Sequence, residues 1–542
     1  MRSANALNGV SAASARTGRS DGDGDEQRER FPFGQFVTVL LISTVPRLFM
    51  LDRDLLPNGI DEGVQIMAGR MYIEGFGLYS QINTVQPPLI LALYGVVPGD
   101  PVLFRYMSAA ASVAIIGLVM YIAWRSAGST AMVAAGAFLS MDLLFLHESR
   151  LASLDMFCLL FIMTGMLAFI YYRKSKSHLA LAVSGVLLGI SAMVKLFGAV
   201  AFMGVFLVLI AEMVVSLRPL REKGLGRYLP EGTGTRAVRW HPVLLAASFT
   251  VTVLSVMAVF GFGDVFRGVF LNQLDRPVDP LQMRLAYLGL FLGADLIAVL
   301  FFPFGLKGTY RSAGGVLLLV SSLFLLMFLL QSKTWPHHYA YLSPTLALTA
   351  GMGLAPLLRW KRRRFGELLD PLLGGKYITV GLSVLVVMSG VSGSLFMAGA
   401  LSRGDPGSGE VADMVRDMTD EGDFVISGDP RITVMAGRLQ PPEVVNLALV
   451  QSPPMNSEIL NRSLIEYGVK VVVVTYRLSD LSGFMETVRG EYVLRARIMD
   501  DHLPVEFQER EYLVYAIRQD SGLFSLPEWG TNTDGNGVDG AS

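Results

Sequence analysis

The sequence has a single cysteine, Cys158, in 542 residues. One thiol cannot close an intrachain disulfide and cannot supply a cysteine-based metal site. It reads as a packed apolar side chain in a membrane helix. Charge is scarce as well: Asp, Glu, Lys and Arg make up 17% of the chain, against about 25% in a soluble globular domain. The formal net charge of −1 names no partner class, and no nucleic-acid partner is expected. No HExxH, Walker A or dinucleotide-binding glycine pattern stands in a supporting context. That removes metalloprotease and nucleotide-driven readings. No secretory signal precedes the first apolar run, because the polar start is too long and no small-residue cleavage site follows it. The first span is therefore expected to be an uncleaved anchor.

What the chain does have is apolar length. Hydrophobic residues make up 52% of it and the mean hydropathy is +0.47. Long apolar runs lie between residues 33 and 400, and runs of about 20 residues fit a bilayer. The expected spans are 33–52, 102–124, 129–147, 154–172, 178–194, 196–217, 241–263, 285–304, 314–331, 340–358 and 377–400. The apolar stretch 88–98 is too short to cross and suits a re-entrant or interfacial helix. Basic residues alternate by side. Arg125, then Arg173, Lys174 and Lys176, then Arg218, Arg221, Lys223 and Arg227, then Lys307 and Arg311, then Arg359 and Lys361 to Arg364 share one face with the N-terminus. The positive-inside rule makes that face cytoplasmic. An odd number of spans then puts the C-terminal part outside, in the cell membrane setting of an integral protein.

The domain reading follows. Residues 1–30 form a disordered cytoplasmic tail, poor in large apolar side chains. Residues 31–401 form the membrane domain, 402–526 an extracytoplasmic α/β domain, and 527–542 a disordered tail. In the α/β part, "DFVISGDP" (423–430) and "VKVVVVTY" (469–476) read as buried strands. "SEILNRSLIEYG" (457–468) reads as an amphipathic helix between them, and "YVLRARI" and "EYLVYAI" as a final strand pair. Asn461-Arg-Ser463 fits a glycosylation sequon.

The outer loops collect the unusual polar residues. The first holds Asp61, Glu62, Tyr79 and Gln86; the second, "HESRLASLD" (147–155), holds Glu148, Arg150 and Asp155; the last, "SKTWPHHYAY" (332–341), holds His337 and His338. Neighbouring residues on a helix point about 100° apart, so Asp61 and Glu62 cannot easily serve one ligand. One acid is free for chemistry while the other binds a cation or a basic side chain. The Arg150 fork matches phosphate oxygens, or else ties the loop to the bundle. Asp155 is costly in lipid and must face protein or water. The histidines suit phosphate, metal or an aromatic belt beside Trp335 and Tyr339.

The combination resembles a known family. An acidic pair follows the first span, then Ala68, then Gly75, Gly77 and Tyr79, then "PPL" at 87–89; "SRLASLD" opens a later span, and "HHYAYLSPTLALTAG" (337–351) another. This is similar to the multi-spanning glycosyltransferases that include protein O-mannosyltransferases and the aminoarabinose-to-lipid-A transferases, over residues 33–360. The resemblance implies an α-helical polytopic membrane protein of the GT-C type, with about 11 transmembrane helices and a C-terminal extracytoplasmic α/β domain. It implies a sugar donor carried on a polyprenyl (dolichyl or undecaprenyl) phosphate, and a protein or lipid/glycan acceptor. It maps the catalytic carboxylate onto Asp61, with Glu62 as its companion, and a single inverting displacement. No nucleotide or redox cofactor is implied, and a divalent metal is left open. Relatives of the aminoarabinose type carry Lys before the double proline, where this chain has Gln86. Phosphate charge must then be met elsewhere, with Arg150, Lys195, His337 and His338 as candidates. The competing reading is a transporter or flippase with Asp142 and Asp295 lining a path. A third is a receptor or scaffold that uses the outer α/β domain.

Overall fold

The structure, a computed structural model, describes residues 30–52, 60–96, 101–215, 240–272, 278–331, 333–364, 407–447, 455–499 and 511–519. The two expected tails, the basic loop 218–227 and the expected span 377–400 lie outside these residues, apart from Arg30.

Helices dominate up to residue 364. They are α1 Phe33–Leu48, α2 Ile60–Ile73, α3 Pro88–Val96, α4 Pro101–Ala127, α5 Ser129–Met141, α6 Leu143–Glu148, α7 Leu154–Ser175, α8 His178–Val194 and α9 Phe197–Val215. Then come α10 His241–Phe260, α11 Phe262–Val265 with a π-helical segment Phe266–Leu271, α12 Leu281–Ala294, α13 Leu296–Arg311, α14 Gly315–Leu330, a 3-10 turn Pro336–Tyr341, and α15 Ser343–Arg364. Local chemistry sets the ends. Ser153 and Ser177 accept from backbone N–H groups at the starts of α7 and α8, the usual role of an N-cap. Lys176 closes α7 in the left-handed region at φ 58°.

Four of the described helices are long and apolar enough to cross a membrane: α4, α7, α9 and α10. A fifth appears if α12 and α13 count as one span broken by an 88° bend. Helices α1, α5, α8 and α14 are apolar but shorter. The expected span 129–147 is interrupted at Asp142, and 285–304 at Asp295. Both acids stop a helix. Helix α3 has nine residues, about 13 Å of helix, and so falls short of a crossing. In the most apolar window of α10 only 11% is buried. An exposed apolar surface of that kind calls for lipid.

Residues 407–519 build a mixed sheet. Its strands are β1 Val425–Ser427, β2 Val471–Val474, β3 Tyr492–Met499 and β4 Glu511–Ile517, in the order β1-β2-β4-β3. β1 and β2 are parallel, and the other pairings are antiparallel. Helices α16 Ser408–Asp417, α17 Pro430–Met435, α18 Ser457–Glu466, α19 Tyr476–Ser479 and α20 Ser482–Glu491 surround it. Strand side chains alternate between faces. Val472 and Val474 enter a core with Leu460, Leu464 and Phe484, while Val471 and Val473 enter another with Val411, Val415 and Ile432. A strand buried on both faces must be apolar throughout, as "VVVV" is.

The sheet part touches the helical part through α17, which packs on α2. Asn83 donates from its backbone to the Pro442 carbonyl at 3.0 Å. Phe76 meets Phe424 edge to face at 6.5 Å. Gly63 of α2 lies against the backbone of Arg431, and a Cβ there would overlap the Arg431 nitrogen.

Candidate active site

Helix α2 separates its two leading acids as a helix must. Glu62 is 3% exposed and turns into the bundle, whereas Asp61 is exposed. Glu62 accepts from Arg105 Nε at 2.9 Å and from the Ala152 backbone N–H at 3.2 Å. Arg105 also donates to the Leu51 carbonyl at 3.3 Å. The buried acid thus ties α2 to the start of α4 and to the loop before α7. Asp61 makes no hydrogen bond or ion pair among the described residues. One carboxylate of the pair is committed to the fold, and the other faces out of it.

The loop between α6 and α7 carries a chain of polar contacts. Glu148 bonds His147 Nδ1 at 3.0 Å and accepts from Ser153 Oγ at 3.0 Å. Ser153 Oγ lies 3.2 Å from Asp155 Oδ2. Asp155 in turn receives Lys195 Nζ at 2.7 and 2.9 Å. Burial opposes the charge on Glu148, but His337 and the bonded His147 outweigh it and hold the carboxyl below the usual carboxylate range. Lys195 stands at the short break between α8 and α9, with its ammonium also over the Phe197 ring at 5.0 Å. Loop, break and α2 are therefore one connected set: Ala152 reaches Glu62, and three residues later Asp155 reaches Lys195.

Arg150 bonds elsewhere, at the end of α1. Its Nη1 donates to the carbonyls of Pro46 at 2.7 Å and Arg47 at 3.1 Å, and its Nη2 to that of Met50 at 3.2 Å. The last carbonyls of a helix have no partner within it. Arg150 caps the end of α1 with its two terminal nitrogens, the tie between loop and bundle that the sequence also allowed, while its Nε has no partner among the described residues.

Tyr79 adopts φ +69°, held by its hydroxyl donating to the Gln86 carbonyl at 2.7 Å. Burial pushes its phenol well above the ordinary range. Its ring lies against Gly268 of the π-helical segment, where any Cβ would collide with it. Gln86 thus serves this turn through its backbone. His338 is buried, and its Nδ1 accepts from the Trp335 backbone N–H at 3.3 Å, which assigns the proton to Nε2. Its ring meets Phe197 edge-on at 4.8 Å, beside Lys195. His337 is half-buried and faces Glu148 electrostatically. The structure thus groups Glu148, Asp155, Lys195, His337 and His338, joins Glu62 to them through the loop, and leaves Tyr79 and Gln86 in a neighbouring turn. Among the described residues no group of three His, Cys, Asp or Glu side chains could hold a metal ion.

Sequence reasoning missed Arg105 and Ser153. The signal for Arg105 was present: an arginine at the edge of an apolar run needs a buried partner. Ser153 carried none, since serines are common in such loops.

Comparisons agree with this architecture. Residues 92–265 match the family model described as dolichyl-phosphate-mannose-protein mannosyltransferase. A search of the curated proteins finds no match. Among solved structures, ArnT from Cupriavidus metallidurans in the apo state superposes with a TM-score of 0.62 at 15% identity, over 89% of this chain and 97% of that one. The same protein bound to undecaprenyl phosphate gives 0.59 at 16% identity, over 91% and 98%. The archaeal oligosaccharyltransferase AglB from Archaeoglobus fulgidus, in complex with an inhibitory peptide and a dolichol-phosphate, gives 0.51 at 14% identity, over 90% and 74%. The chain therefore carries a protein-mannosyltransferase family match over residues 92–265 and, over most of its length, a fold shared with ArnT and AglB.

Proposed function

We propose that the chain transfers a sugar from a polyprenyl-phosphate donor to a protein or lipid/glycan hydroxyl on the extracytoplasmic face of the cell membrane. The observation that carries this reading is the division of labour in the acidic pair: Glu62 is buried and bonded, and Asp61 is exposed beside it without a described partner. Asp61 takes the proton of the acceptor hydroxyl. The acceptor oxygen attacks the anomeric carbon, polyprenyl phosphate leaves, and the configuration inverts. Proton removal by a positioned base contributes about 10² to 10⁴ in rate.

Donor phosphate falls to Lys195 and His337. Lys195 uses two contacts on Asp155 and has a third ammonium hydrogen to offer. The fold relatives supply the carrier class, since two of them are described with undecaprenyl phosphate and dolichol-phosphate. Eleven crossings, a cytoplasmic N-terminus and an outer sheet domain complete the reading, supported by the basic residues at the ends of α4, α7 and α13. The test is incubation of purified protein with polyprenyl-phosphate sugars and an acceptor. Release of polyprenyl phosphate together with a glycosylated acceptor supports the reading; a chain that leaves every such donor intact opposes it.

A further inference from the structure

The strap that carries the site's two histidines is fastened at one carboxylate. Asp279 stands two residues before α12 and is 7% exposed. Its Oδ1 accepts from Lys333 Nζ at 2.7 Å, and its Oδ2 from the Thr334 backbone N–H at 3.1 Å. Its own carbonyl accepts from Arg284 Nη2 at 2.6 Å, while Arg284 Nη1 donates to the Leu329 carbonyl at 2.7 Å. Leu329 lies in the last turn of α14, where carbonyls have no partner within the helix. Farther along the strap, the Tyr339 hydroxyl donates to the Arg284 carbonyl at 2.9 Å.

The strap is therefore tied at Lys333 and Thr334 and again at Tyr339, each time to the short stretch 279–284. His337 and His338 lie between the ties. The ring of His337 meets that of His338 edge to face at 4.6 Å. His338 meets Phe197 at 4.8 Å, and the Lys195 ammonium lies over the same Phe197 ring at 5.0 Å. The turn Pro336–Tyr341 also packs on α6, whose last residue is Glu148. An unbroken run of contacts thus leads from Asp279 to the group around Lys195. The Asp279–Lys333 pair is itself largely buried, with side chains 7% and 17% exposed. Such a pair adds little stability over an apolar contact, and its best-attested use is to fix one register.

We propose that Asp279 is a positioning residue for donor binding: paired with Lys333, it holds the strap so that His337 meets the donor phosphate beside Lys195. This rests on the transfer reading given above and adds to it a residue that acts through His337 without touching the donor. Because donor and transition state present the same phosphate to His337, the pair affects donor affinity and leaves the chemical step alone.

The experiment measures binding of radiolabelled dolichyl phosphate and undecaprenyl phosphate to full-length protein in detergent, with turnover and thermal unfolding on the same preparations. Asp279→Asn keeps an acceptor for the Thr334 N–H and loses the charge that holds Lys333. Lys333→Met keeps an apolar stem over Trp335 and loses the ammonium. Each should raise the Kd for carrier phosphate, and the donor KM with it, by about 3- to 30-fold, the range for residues coupled in one hydrogen-bonded network. The kcat at saturating donor should stay at the wild-type value. Lys333→Arg should restore the wild-type Kd. In a His337→Gln background, Asp279→Asn should add no further loss, because the group it positions is gone. If Asp279→Asn does not fold, Lys333→Met takes its place in every comparison. An unchanged Kd in both variants, or losses that simply add in the His337→Gln background, overturns the inference and leaves the transfer reading standing. A lower melting midpoint with a wild-type Kd in the folded fraction does the same. Wild type that binds neither carrier phosphate overturns the transfer reading and the inference together.

Discussion

Replacing Asp61 by Asn and Glu62 by Gln separates chemistry from architecture in two adjacent residues. Asp61 is exposed and bonds nothing described. Asp61→Asn should therefore leave stability within about 0.5 kcal/mol of wild type. It removes the proposed base, so turnover should fall by about 10² to 10⁴, a barrier rise of about 3 to 5 kcal/mol. Glu62 is the reverse case. Its side chain is 1% exposed and that of Arg105 is 8% exposed. Neutralising one partner of a buried ion pair costs about 3 to 5 kcal/mol. The low end applies here, because Gln can still accept one hydrogen bond and Arg105 also donates to the Leu51 carbonyl. Glu62→Gln should thus melt early, while the fraction that stays folded turns over faster than Asp61→Asn. The assay is turnover of a radiolabelled lipid-phosphate sugar by detergent-purified variants, alongside their thermal unfolding. Wild-type turnover in Asp61→Asn would refute the general base. A stable but inactive Glu62→Gln would move the chemistry to the other acid.

Arg150→Lys replaces a fork that spans three carbonyls with a single point charge, so it should cost about 1 to 3 kcal/mol of stability. Steady-state kinetics should show an unchanged donor KM; a raised KM at intact stability would return Arg150 to the phosphate. Gly63→Ala forces a methyl into the Arg431 backbone and should cost about 1 to 3 kcal/mol by overpacking. Because Asp61 lies two residues away, turnover should fall as well, measured on the same preparations. A reporter fused after residue 542 should be extracytoplasmic and one at residue 222 cytoplasmic, read by protease protection or alkaline phosphatase activity. Both on one side would remove the proposed topology.

The helical frame was legible because hydropathy is itself the physical signal. An apolar run reports a surface that water must not touch, and 178–194 is the helix His178–Val194 residue for residue. The runs around Val425 and Val471 are strands for the same reason. Helix breaks were hidden, since a lone aspartate in an apolar window barely lowers the average, yet Asp142 and Asp295 each end a helix. The acidic pair was legible in outline, because adjacency on a helix forces the two acids apart. Which acid would be buried was not, for that depends on Arg105 and Ala152, far along the chain. Arg150 shows the same limit. Its chemistry suits a phosphate and a helix end equally, and the proximity of α1, which the sequence does not show, supplies the helix end.

The seat of α17 on α2 has a consequence for how the protein is made. Arg70 and Val434, which meet across that seat, are 364 residues apart in the chain. At about 5 to 20 residues per second of synthesis, α2 waits roughly 20 to 70 s before its partner exists. Throughout that interval the face that receives Arg431 is bare, and the turn at Asn83 lacks the Pro442 carbonyl that pins it. Helix α2, made early, is thus among the last to be finished. A ribosome that stops before α17 releases a bundle whose Asp61 helix has lost one wall, so the proposed transfer should require synthesis to run at least through α17.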